Sequence, residues 1–285
     1  MKVWLDGKLV DKADAAINVY DHGLLYGDGV FEGIRVYNGT IFECDAHVDR
    51  LFDGARAIRL EIPLTKAETV QAMRDTIEAN KLVDGYIRLV VTRGVGMLGL
   101  SPFKCTCPQV FVIADSIQLY PAELYENGLS VIVSSTVRNH PNALNPRIKS
   151  LNYLNNILAK IEAVDAGVQE AVMLNPQGLV AEATGDNIFI VTGGELITPP
   201  LAAGTLAGIT RAVVMRLARE AGIELRQTNI SRYDLYTADE CFLTGTAAEV
   251  IPVTTIDGRT IGTGKPGPIS RQLIQAFRDY IKRNT

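Results

Sequence analysis

Two Asx-Gly dipeptides each separate two runs of alternating apolar and polar residues near the start of the chain. Asp6-Gly7 divides the run KVWLDGKLV, and Asn38-Gly39 divides the run VFEGIRVYNGTIFE. Such dipeptides favour the two-residue loops of antiparallel hairpins, because both loop positions require a positive φ. The later runs GYIRLVVTRG and QVFVIADSI also read as strands. The sequence therefore predicts one antiparallel sheet in this part of the chain.

Two helices are predicted between the second hairpin and the later strands. The first extends from about Asp45 to Ile58. The second begins at Thr65, whose spacing to Glu68 is that of a capping box, in which each residue bonds the other's backbone N–H. Strands and helices together predict an α+β unit.

The pattern of elements restarts after an irregular, proline-containing segment at residues 118–127. We interpret this segment as a linker between a small N-terminal domain, residues 1–117, and a larger domain, residues 128–285. In the larger domain a strand (LSVIVSS) precedes a helix after Leu151, and the runs EAVMLN, LVAEAT, NIFIV and ELITP predict an antiparallel meander. A helix from about Ile209 to Ala221 then leads to the strand CFLTG. The fold class is α+β or α/β with two domains.

Charge and composition limit the partners that the chain can bind. Its 285 residues are 47% hydrophobic, its formal net charge is −4, and both signs are interspersed. This distribution argues against nucleic acid or an anionic membrane surface, so the expected ligands are small molecules. The N-terminus has no apolar signal-peptide core, and no run reaches the roughly 18 apolar residues of a membrane span, so we expect a cytoplasmic protein.

Four cysteines and three histidines are present, and neither type has the spacing of metal ligands. Cys105-Thr-Cys107 is too close for an ordinary disulfide and has no second cluster to complete a metal site. We therefore expect reduced thiols and no metal.

Lys149 is the candidate catalytic residue. It lies in the segment NPRIKSLNY, which reads as buried and stands directly before a predicted helix. Burial lowers the pKa of a lysine, and the neutral amine is a nucleophile that forms a Schiff base with the carbonyl of a substrate or of a pyridoxal cofactor. The alternative is an ordinary surface lysine.

Glu182 lies 33 residues after Lys149, on the predicted strand LVAEAT. Strand alternation would point it into the fold, where a carboxylate needs a cationic partner. The protonated ring nitrogen of pyridoxal is such a partner, and its charge makes the ring an electron sink. An exposed strand glutamate is the alternative.

Two turns and one arginine are candidates for binding a phosphate group. Gly208-Ile209-Thr210 opens a predicted helix, whose first N–H groups and dipole attract anions. Gly245-Thr246-Ala247-Ala248 offers a hydroxyl and the N–H groups of small residues after the strand CFLTG. Arg50 offers the forked guanidinium that phosphate prefers. Plain helix caps, strand ends and a surface arginine are the alternatives.

A candidate substrate surface lies on two predicted strands. Phe31, Gly33 and Arg35 share one strand face by their period of two, and Tyr86 and Arg88 share a face of another strand. Gly33 is small, so we expect it to leave room for a ligand. Two arginines on otherwise apolar faces need an anionic partner.

The ordered set of motifs resembles a known family. The segments YGDGVFEGIRVYNG, HVDRL, YIRLVVTRG, RIKSLNYLNN, GLVAEATGDNIF, LAGITR and FLTGTAAEVIPV are similar, in order and across almost the whole chain, to those of the class IV pyridoxal-phosphate aminotransferases. The segments VFEGIR, YIR and GTAAEV are most similar to the branched-chain amino acid aminotransferases. The resemblance implies the two-domain architecture of fold type IV, with the active site between the domains.

The resemblance also implies roles in cofactor binding. Lys149 would form the Schiff base with pyridoxal 5'-phosphate and later move a proton between the substrate α-carbon and the cofactor. Glu182 would hold the ring nitrogen, and Tyr153 would hold the phenolic oxygen. The residues implied for the phosphate group are Arg50, Gly208, Ile209, Thr210 and Thr246.

Further residues are implied for the substrates, which would be leucine, isoleucine or valine and, as amino acceptor, 2-oxoglutarate in a ping-pong cycle. Ala247 and Ala248 would lie near the substrate carboxylate, and Arg88 with Arg35 would bind the distal carboxylate of glutamate. In this family Tyr26 and the loop Gly94–Met97 reach the site of a neighbouring subunit, which implies a homodimer at minimum. The side-chain pocket would be lined by Tyr26, Phe31, Gly33 and Tyr86.

Other activities remain open at this point. Relatives that act on D-amino acids carry an arginine and a histidine after the strand equivalent to YIRLVV, and here residues 93–100 contain Arg93 and no histidine. This composition disfavours a transaminase specific for D-amino acids. An (R)-amine transaminase, an aminodeoxychorismate lyase of the same fold and a cofactor-free binding protein are further alternatives.

Overall fold

The computed structural model describes residues 1–117 and 120–285, so residues 118 and 119 of the predicted linker lie outside the described residues. The chain divides into two compact units. The first takes residues 1–117 together with Ile148–Asn152 and Asn284–Thr285, and the second takes the remaining described residues. Compactness does not show which segments fold independently, so the domain limits drawn from the sequence stay a prediction.

The first unit contains a six-stranded sheet in the order β2-β1-β6-β5-β3-β4. Its strands are β1 (Lys2–Leu5), β2 (Lys8–Asp11), β3 (Gly29–Tyr37), β4 (Thr40–Ile41), β5 (Gly85–Val95) and β6 (Cys107–Asp115). Every neighbouring pair is antiparallel. Both predicted hairpins are confirmed: Asp6 and Asn38 have φ of 44° and 48°, and the glycine after each also has a positive φ.

Helices of the first unit pack on this sheet. They are α1 (His22–Tyr26), α2 (Cys44–Ala57) and α3 (Lys66–Asn80), with a short 3-10 turn at Pro102–Lys104. The predicted capping box is confirmed, because Thr65 N–H donates to Glu68 Oε2 at 2.7 Å and Glu68 N–H donates to Thr65 Oγ1 at 3.2 Å. Apolar side chains of α2 and α3, such as Leu51 and Met73, form one core with those of the strands.

The second unit contains a nine-stranded mixed sheet. Its strands are β7 (Leu129–Val133), β8 (Glu170–Leu174), β9 (Val180–Ala183), β10 (Asn187–Thr192), β11 (Glu195–Thr198), β12 (Leu225–Gln227), β13 (Glu240–Gly245), β14 (Glu249–Ile256) and β15 (Arg259–Thr260). Their order is β12-β11-β10-β13-β14-β7-β8-β9, with β15 on β14. Strand β7 is parallel to both β8 and β14, and β11 is parallel to β12.

The predicted meander is wrong at its centre. The pairs β8–β9 and β10–β11 are antiparallel as expected, but β10 lies between β11 and β13 instead of beside β9. Alternation along a strand indicates which face is buried and carries no information about the partner strand. Phe189 of β10 pairs with Phe242 of β13, and both are buried, with stacked rings whose centroids are 5.0 Å apart.

The helices of the second unit are α4 (Ala122–Asn127), α5 (Leu154–Asp165), α6 (Ile209–Glu220), α7 (Arg232–Thr237) and α8 (Pro268–Asn284). Helix α4 lies within the predicted linker segment. The apolar stripe of α5 is exposed: Leu154 and Val164 at its two ends are 66% and 65% exposed. Among the described residues, none of the helices combines the length and the apolar character required to cross a membrane.

Candidate active site

Lys149 is fixed to strand β3 by backbone hydrogen bonds within the first unit. Phe31 N–H donates to Lys149 O at 2.9 Å, and Leu151 N–H donates to Gly29 O at 3.0 Å. The Lys149 ammonium nitrogen lies 4.6 Å from the centroid of the Phe31 ring. The side chain is half-buried, which is less than the buried setting that the sequence predicts. This pairing holds a primary amine over an aromatic ring of the sheet.

Arg50, on α2, forms a fork with a carboxylate of the same sheet. Its Nε and Nη2 donate to Glu32 Oε1 and Oε2, each at 2.7 Å. His47 Nδ1 lies 2.8 Å from the same Oε2. Glu32 is completely buried, and the side chains of His47 and Arg50 are only 1% and 11% exposed. A buried carboxylate is thus enclosed by two side chains from one turn of α2.

The charges of this cluster follow from its contacts. Burial alone would raise the pKa of Glu32, but Arg50 and the His47 hydrogen bond lower it to about 2. The pKa of His47 is lowered, mainly by burial and also by the charges of Arg50 and Lys149. The hydrogen bond to Glu32 and the charge of Glu32 act in the opposite direction. Glu32 is therefore ionised and can only accept, so we assign the Nδ1 proton of a neutral His47 to this bond.

Sequence reasoning selected Arg50 but missed Glu32 and His47. One signal was available in the sequence of β3. Glu32 lies between Phe31 and Gly33 of the predicted ligand face, so its side chain belongs to the opposite face, which packs on the helices. A carboxylate on such a face needs a cation.

The predicted substrate face of β3 and β5 is assembled in the first unit. Strand pairing places Gly33 opposite Arg88 and Arg35 opposite Tyr86. The Arg88 guanidinium lies 4.5 Å from the Phe31 ring centroid and 5.5 Å from that of Tyr86. Arg35 is buried. Aromatic rings and guanidinium groups therefore alternate across two neighbouring strands.

The expectation that Gly33 leaves room for a ligand is wrong. A Cβ added at Gly33 would overlap the Tyr86 hydroxyl, so the side chain of the neighbouring strand already occupies this space. Glycine is required here because it lets the Tyr86 hydroxyl lie against the backbone of β3.

Tyr26 is the last residue of α1 and is linked to the loop after β5. Its hydroxyl accepts a hydrogen bond from Gly99 N–H at 3.1 Å, and its ring meets that of His22 edge to face at 4.9 Å. His22 Nε2 lies 2.9 Å from Met97 O. Helix α1 and this loop are thus connected to each other.

Glu182 lies in the second unit and is buried, so its exposed-strand alternative is wrong. Arg138 donates from Nε to Glu182 Oε1 at 3.0 Å, and its Nη2 lies at the same distance. Oε2 accepts from Thr205 Oγ1, Leu206 N–H and Asn187 Nδ2 at 2.9, 2.9 and 3.1 Å. Five donors therefore surround this carboxylate. Arg138 is the internal cation that the sequence reasoning missed.

The two predicted phosphate turns are connected through Asn187, which also bonds Glu182. Gly208 is the N-cap of α6, and a Cβ there would overlap Asn187 Oδ1. Asn187 pairs with Thr244, the residue before the turn Gly245-Thr246-Ala247-Ala248. Asn187 thus lies next to three parts of the second unit, namely the start of α6, this turn and Glu182. Among the turn residues of α6, Thr210 is buried and Ile209 is the first helical residue.

The remaining assigned residues of the second unit differ in exposure. Thr246 is half-buried, Ala247 is exposed and Ala248 is buried. Tyr153 is the half-buried N-cap residue of α5, and Asn155 and Asn156 in the first turn of that helix accept hydrogen bonds from Arg138 Nη1 at 3.2 and 3.1 Å. Tyr153 therefore stands next to the residues that orient the partner of Glu182.

Comparison with known proteins identifies the family. The model of the family described as amino-transferase class IV matches residues 29–256. A putative branched-chain-amino-acid aminotransferase of Methanocaldococcus jannaschii is 53% identical over 98% of this chain and 96% of its own length. A D-alanine aminotransferase of Bacillus licheniformis is 36% identical over 100% of this chain and 99% of its own.

A solved structure agrees with these relatives. The Escherichia coli branched-chain amino acid aminotransferase has a TM-score of 0.96 and 38% identity, covering 100% of this chain and 95% of that one. The predicted fold class and the resemblance drawn from the motifs are both confirmed. The chain belongs to the class IV aminotransferase family.

Proposed function

We propose that the protein is a pyridoxal-phosphate-dependent transaminase that exchanges the amino group between branched-chain L-amino acids and 2-oxoglutarate in a ping-pong cycle. The observation that carries the proposal is the backbone pairing that holds the Lys149 amine over Phe31, on the strand that also bears Arg35. The M. jannaschii relative, named for branched-chain substrates, supports the choice of amino donor.

The residues of each unit fit parts of pyridoxal phosphate. The first unit offers the Lys149 amine and the Arg50 guanidinium, and the second offers the buried carboxylate of Glu182 and two turns rich in N–H groups. Small residues fit a close approach of phosphate to the backbone of these turns. When bound, pyridoxal phosphate supplies a carbonyl that condenses with amines and a ring that accepts the electron pair of the substrate α-carbon.

Lys149 and Glu182 have different tasks in this proposal. Lys149 Nζ would hold the cofactor and, once released from it, would carry the proton removed from the substrate α-carbon. Glu182 Oε2 would supply the negative charge for the ring nitrogen. Because Thr205 donates through a rotatable hydroxyl, it is the donor best able to yield its place on Oε2 to another group. Tyr153, Gly208, Ile209, Thr210 and Thr246 serve the cofactor, and Ala247 and Ala248 serve the substrate carboxylate.

Substrate choice depends on the face of β3 and β5. The rings of Phe31 and Tyr86 offer apolar contact for a branched side chain, while Arg88 beside them offers charge for the distal carboxylate of glutamate. One surface with both properties suits the alternation of substrates in a ping-pong cycle, because each half-reaction presents a different side chain to it.

A second candidate function is transamination of D-amino acids, favoured by the similarity to the D-alanine aminotransferase of B. licheniformis. Arg93 is the arginine that such a carboxylate site would use. Here it pairs with Asp28 at 2.9 Å and donates to the carbonyl oxygens of Ile58 and Arg59, each at 2.7 Å. These bonds engage all three guanidinium nitrogens and favour the L-specific proposal.

The first prediction concerns the amino donor. L-Leucine should change the absorbance spectrum of the holoprotein and produce glutamate from 2-oxoglutarate. The half-reaction is followed by absorbance and the product by chromatography, with L-isoleucine, L-valine, D-alanine and an (R)-amine as parallel donors. A response to D-alanine alone would establish the second candidate instead. Release of pyruvate from aminodeoxychorismate, with no amino transfer from any of these donors, would indicate a lyase.

The second prediction concerns the attachment residue. Lys149→Ala should reduce turnover below detection, since the fixed amine and the proton carrier are both lost. Borohydride reduction followed by peptide mapping should find the pyridoxyl adduct on Lys149 of the unaltered protein. The exposed Lys265→Ala variant serves as the control and should keep full turnover and the adduct. An adduct on Lys81, Lys160 or Lys265 would refute the assignment.

The third prediction concerns Glu182. Glu182→Gln should lower kcat by about a hundredfold, because the charge beside the ring nitrogen is lost, while the Kd for pyridoxal phosphate changes only a few-fold, because the phosphate contacts remain. Kinetics and absorbance titration measure the two effects.

This substitution also breaks a buried ion pair with Arg138, which costs about 3–5 kcal/mol of stability. Glu170→Gln provides the matched control, since Glu170 is a buried carboxylate of the same sheet that pairs with Lys160. Its variant should lose stability and keep its kcat. A parallel loss of cofactor affinity and kcat in Glu182→Gln would argue against the electron-sink role.

We propose that the protein forms a homodimer, with Tyr26 and the loop Gly94–Met97 serving the partner's site. The exposed apolar stripe of α5 supports an association, because contiguous apolar surface of this kind is usually covered.

The fourth prediction is that Ile161→Glu, at a position 49% exposed, yields monomers by sedimentation velocity. Val83→Glu, at a 58% exposed valine of the first unit, is the control and should remain dimeric. Unchanged sedimentation of the Ile161 variant would remove α5 from the interface.

We propose a cytoplasmic location. The four cysteines are free thiols, which persist in reducing compartments. Finding a disulfide in protein isolated under alkylating conditions would contradict this location.

A further inference from the structure

We propose that Glu32 and His47 are positioning residues that fix the guanidinium of Arg50 in the orientation that receives the cofactor phosphate. The inference rests on the proposed function and extends it to two residues that the family resemblance did not assign. Neither residue needs to touch the cofactor, because both act through Arg50.

The fork between Glu32 and Arg50 fixes a plane. Two parallel bonds of 2.7 Å lock the guanidinium into the plane of the carboxylate, which a single bond would not do. The fork uses Nε and one N–H of Nη2, so it fixes the orientation in which the guanidinium meets an oxyanion. Glu32 itself is held by strand β3, where it pairs with Leu89 of β5 and where the N–H of the preceding Phe31 donates to Lys149 O. The orientation of the guanidinium is thus set by the sheet.

His47 fixes the carboxylate in turn. It lies three residues before Arg50 on α2, and its Nδ1 bonds the same Oε2 that accepts from Arg50 Nη2. Both side chains of this helical turn therefore converge on one oxygen atom. Without His47, rotation of the carboxylate about its terminal bond would be opposed by Arg50 alone.

The charge of the cluster is balanced. The charged groups that face His47 are Glu32, Arg50 and Lys149. Glu32 and Arg50 cancel each other, and His47 remains neutral because burial and the two cations oppose its protonation. A neutral imidazole thus supports the carboxylate without adding a positive charge to compete with Arg50 for it.

Stability alone does not account for this cluster. Replacing buried ionic groups with apolar side chains of similar volume is often neutral or stabilising, since desolvation offsets the attraction. The neighbouring residues Val48 and Leu51 already supply apolar packing from α2. The ionic fork between Glu32 and Arg50 is therefore better explained by the need to orient Arg50 toward a phosphate than by a gain in the stability of the fold.

The fifth prediction tests orientation through cofactor affinity of the apoprotein. Glu32→Gln should raise the Kd for pyridoxal phosphate at least tenfold, because the amide cannot accept both bonds of the fork. The Kd for pyridoxal, which lacks the phosphate, should change less than twofold. Absorbance titration gives both constants. Asp49→Asn serves as the matched control, because Asp49 is an exposed carboxylate next to Arg50 on the same helix, and it should change neither constant.

A double-mutant cycle separates this inference from the proposed function. If Arg50→Gln leaves the affinity for pyridoxal phosphate unchanged, the assignment of Arg50 to the phosphate fails. If Arg50→Gln weakens binding and Glu32→Gln does not, the positioning role alone fails. The expected result is that both weaken binding and that the double variant equals Arg50→Gln, because Glu32 has no route to the phosphate once Arg50 is gone.

Histidine variants keep the inference testable if Glu32→Gln does not fold. His47→Phe should raise the Kd for pyridoxal phosphate several-fold, and His47→Asn should restore it, because the asparagine amide can donate to Glu32 from nearly the position of Nδ1. Equal weakening of pyridoxal and pyridoxal phosphate in any of these variants would overturn the proposal, since a general loss of structure does not discriminate between the two ligands.

Discussion

The candidate site depends on one short stretch of backbone pairing, between Ile148–Asn152 and the start of β3. Two hydrogen bonds attach the segment that carries Lys149 to the sheet of the first unit, although more than a hundred residues separate the paired positions in the chain. The amine of Lys149 and the ring of Phe31 therefore share one rigid support. A lysine on an independent loop would lose this geometry whenever the loop moved.

Both units use the same device to hold a buried carboxylate. In the first unit Arg50 forks Glu32 and His47 adds a third bond, while in the second unit Arg138 binds Glu182 and uncharged donors complete the shell. A lone buried carboxylate would take up a proton to escape desolvation, and a guanidinium opposes this. The two carboxylates differ in purpose: Glu32 supports a cation, whereas Glu182 is itself the candidate ligand.

Local features of the fold followed from the sequence, and partners distant in the chain did not. The Asx-Gly hairpins and the Thr65 capping box depend on residues within a few positions of one another, so their chemistry is visible in the sequence. The shared face of Phe31, Gly33 and Arg35 followed from the period of a strand. By contrast, Arg138 and Glu182 are 44 residues apart, and nothing in either segment identifies the other. The partner of β10 was missed for the same reason.

Neighbouring polar groups explain why the space expected at Gly33 is filled. Gly33, Gly208 and Gly245 each leave a space that a polar side chain fills, namely the Tyr86 hydroxyl, the Asn187 amide oxygen and the Asp186 carboxylate. A sequence shows that a glycine is small but not which neighbour uses the space. In each case the polar atom lies directly against the backbone of the glycine, so a side chain at that position would displace it. These glycines therefore shape the candidate site by positioning polar groups rather than by leaving a cavity.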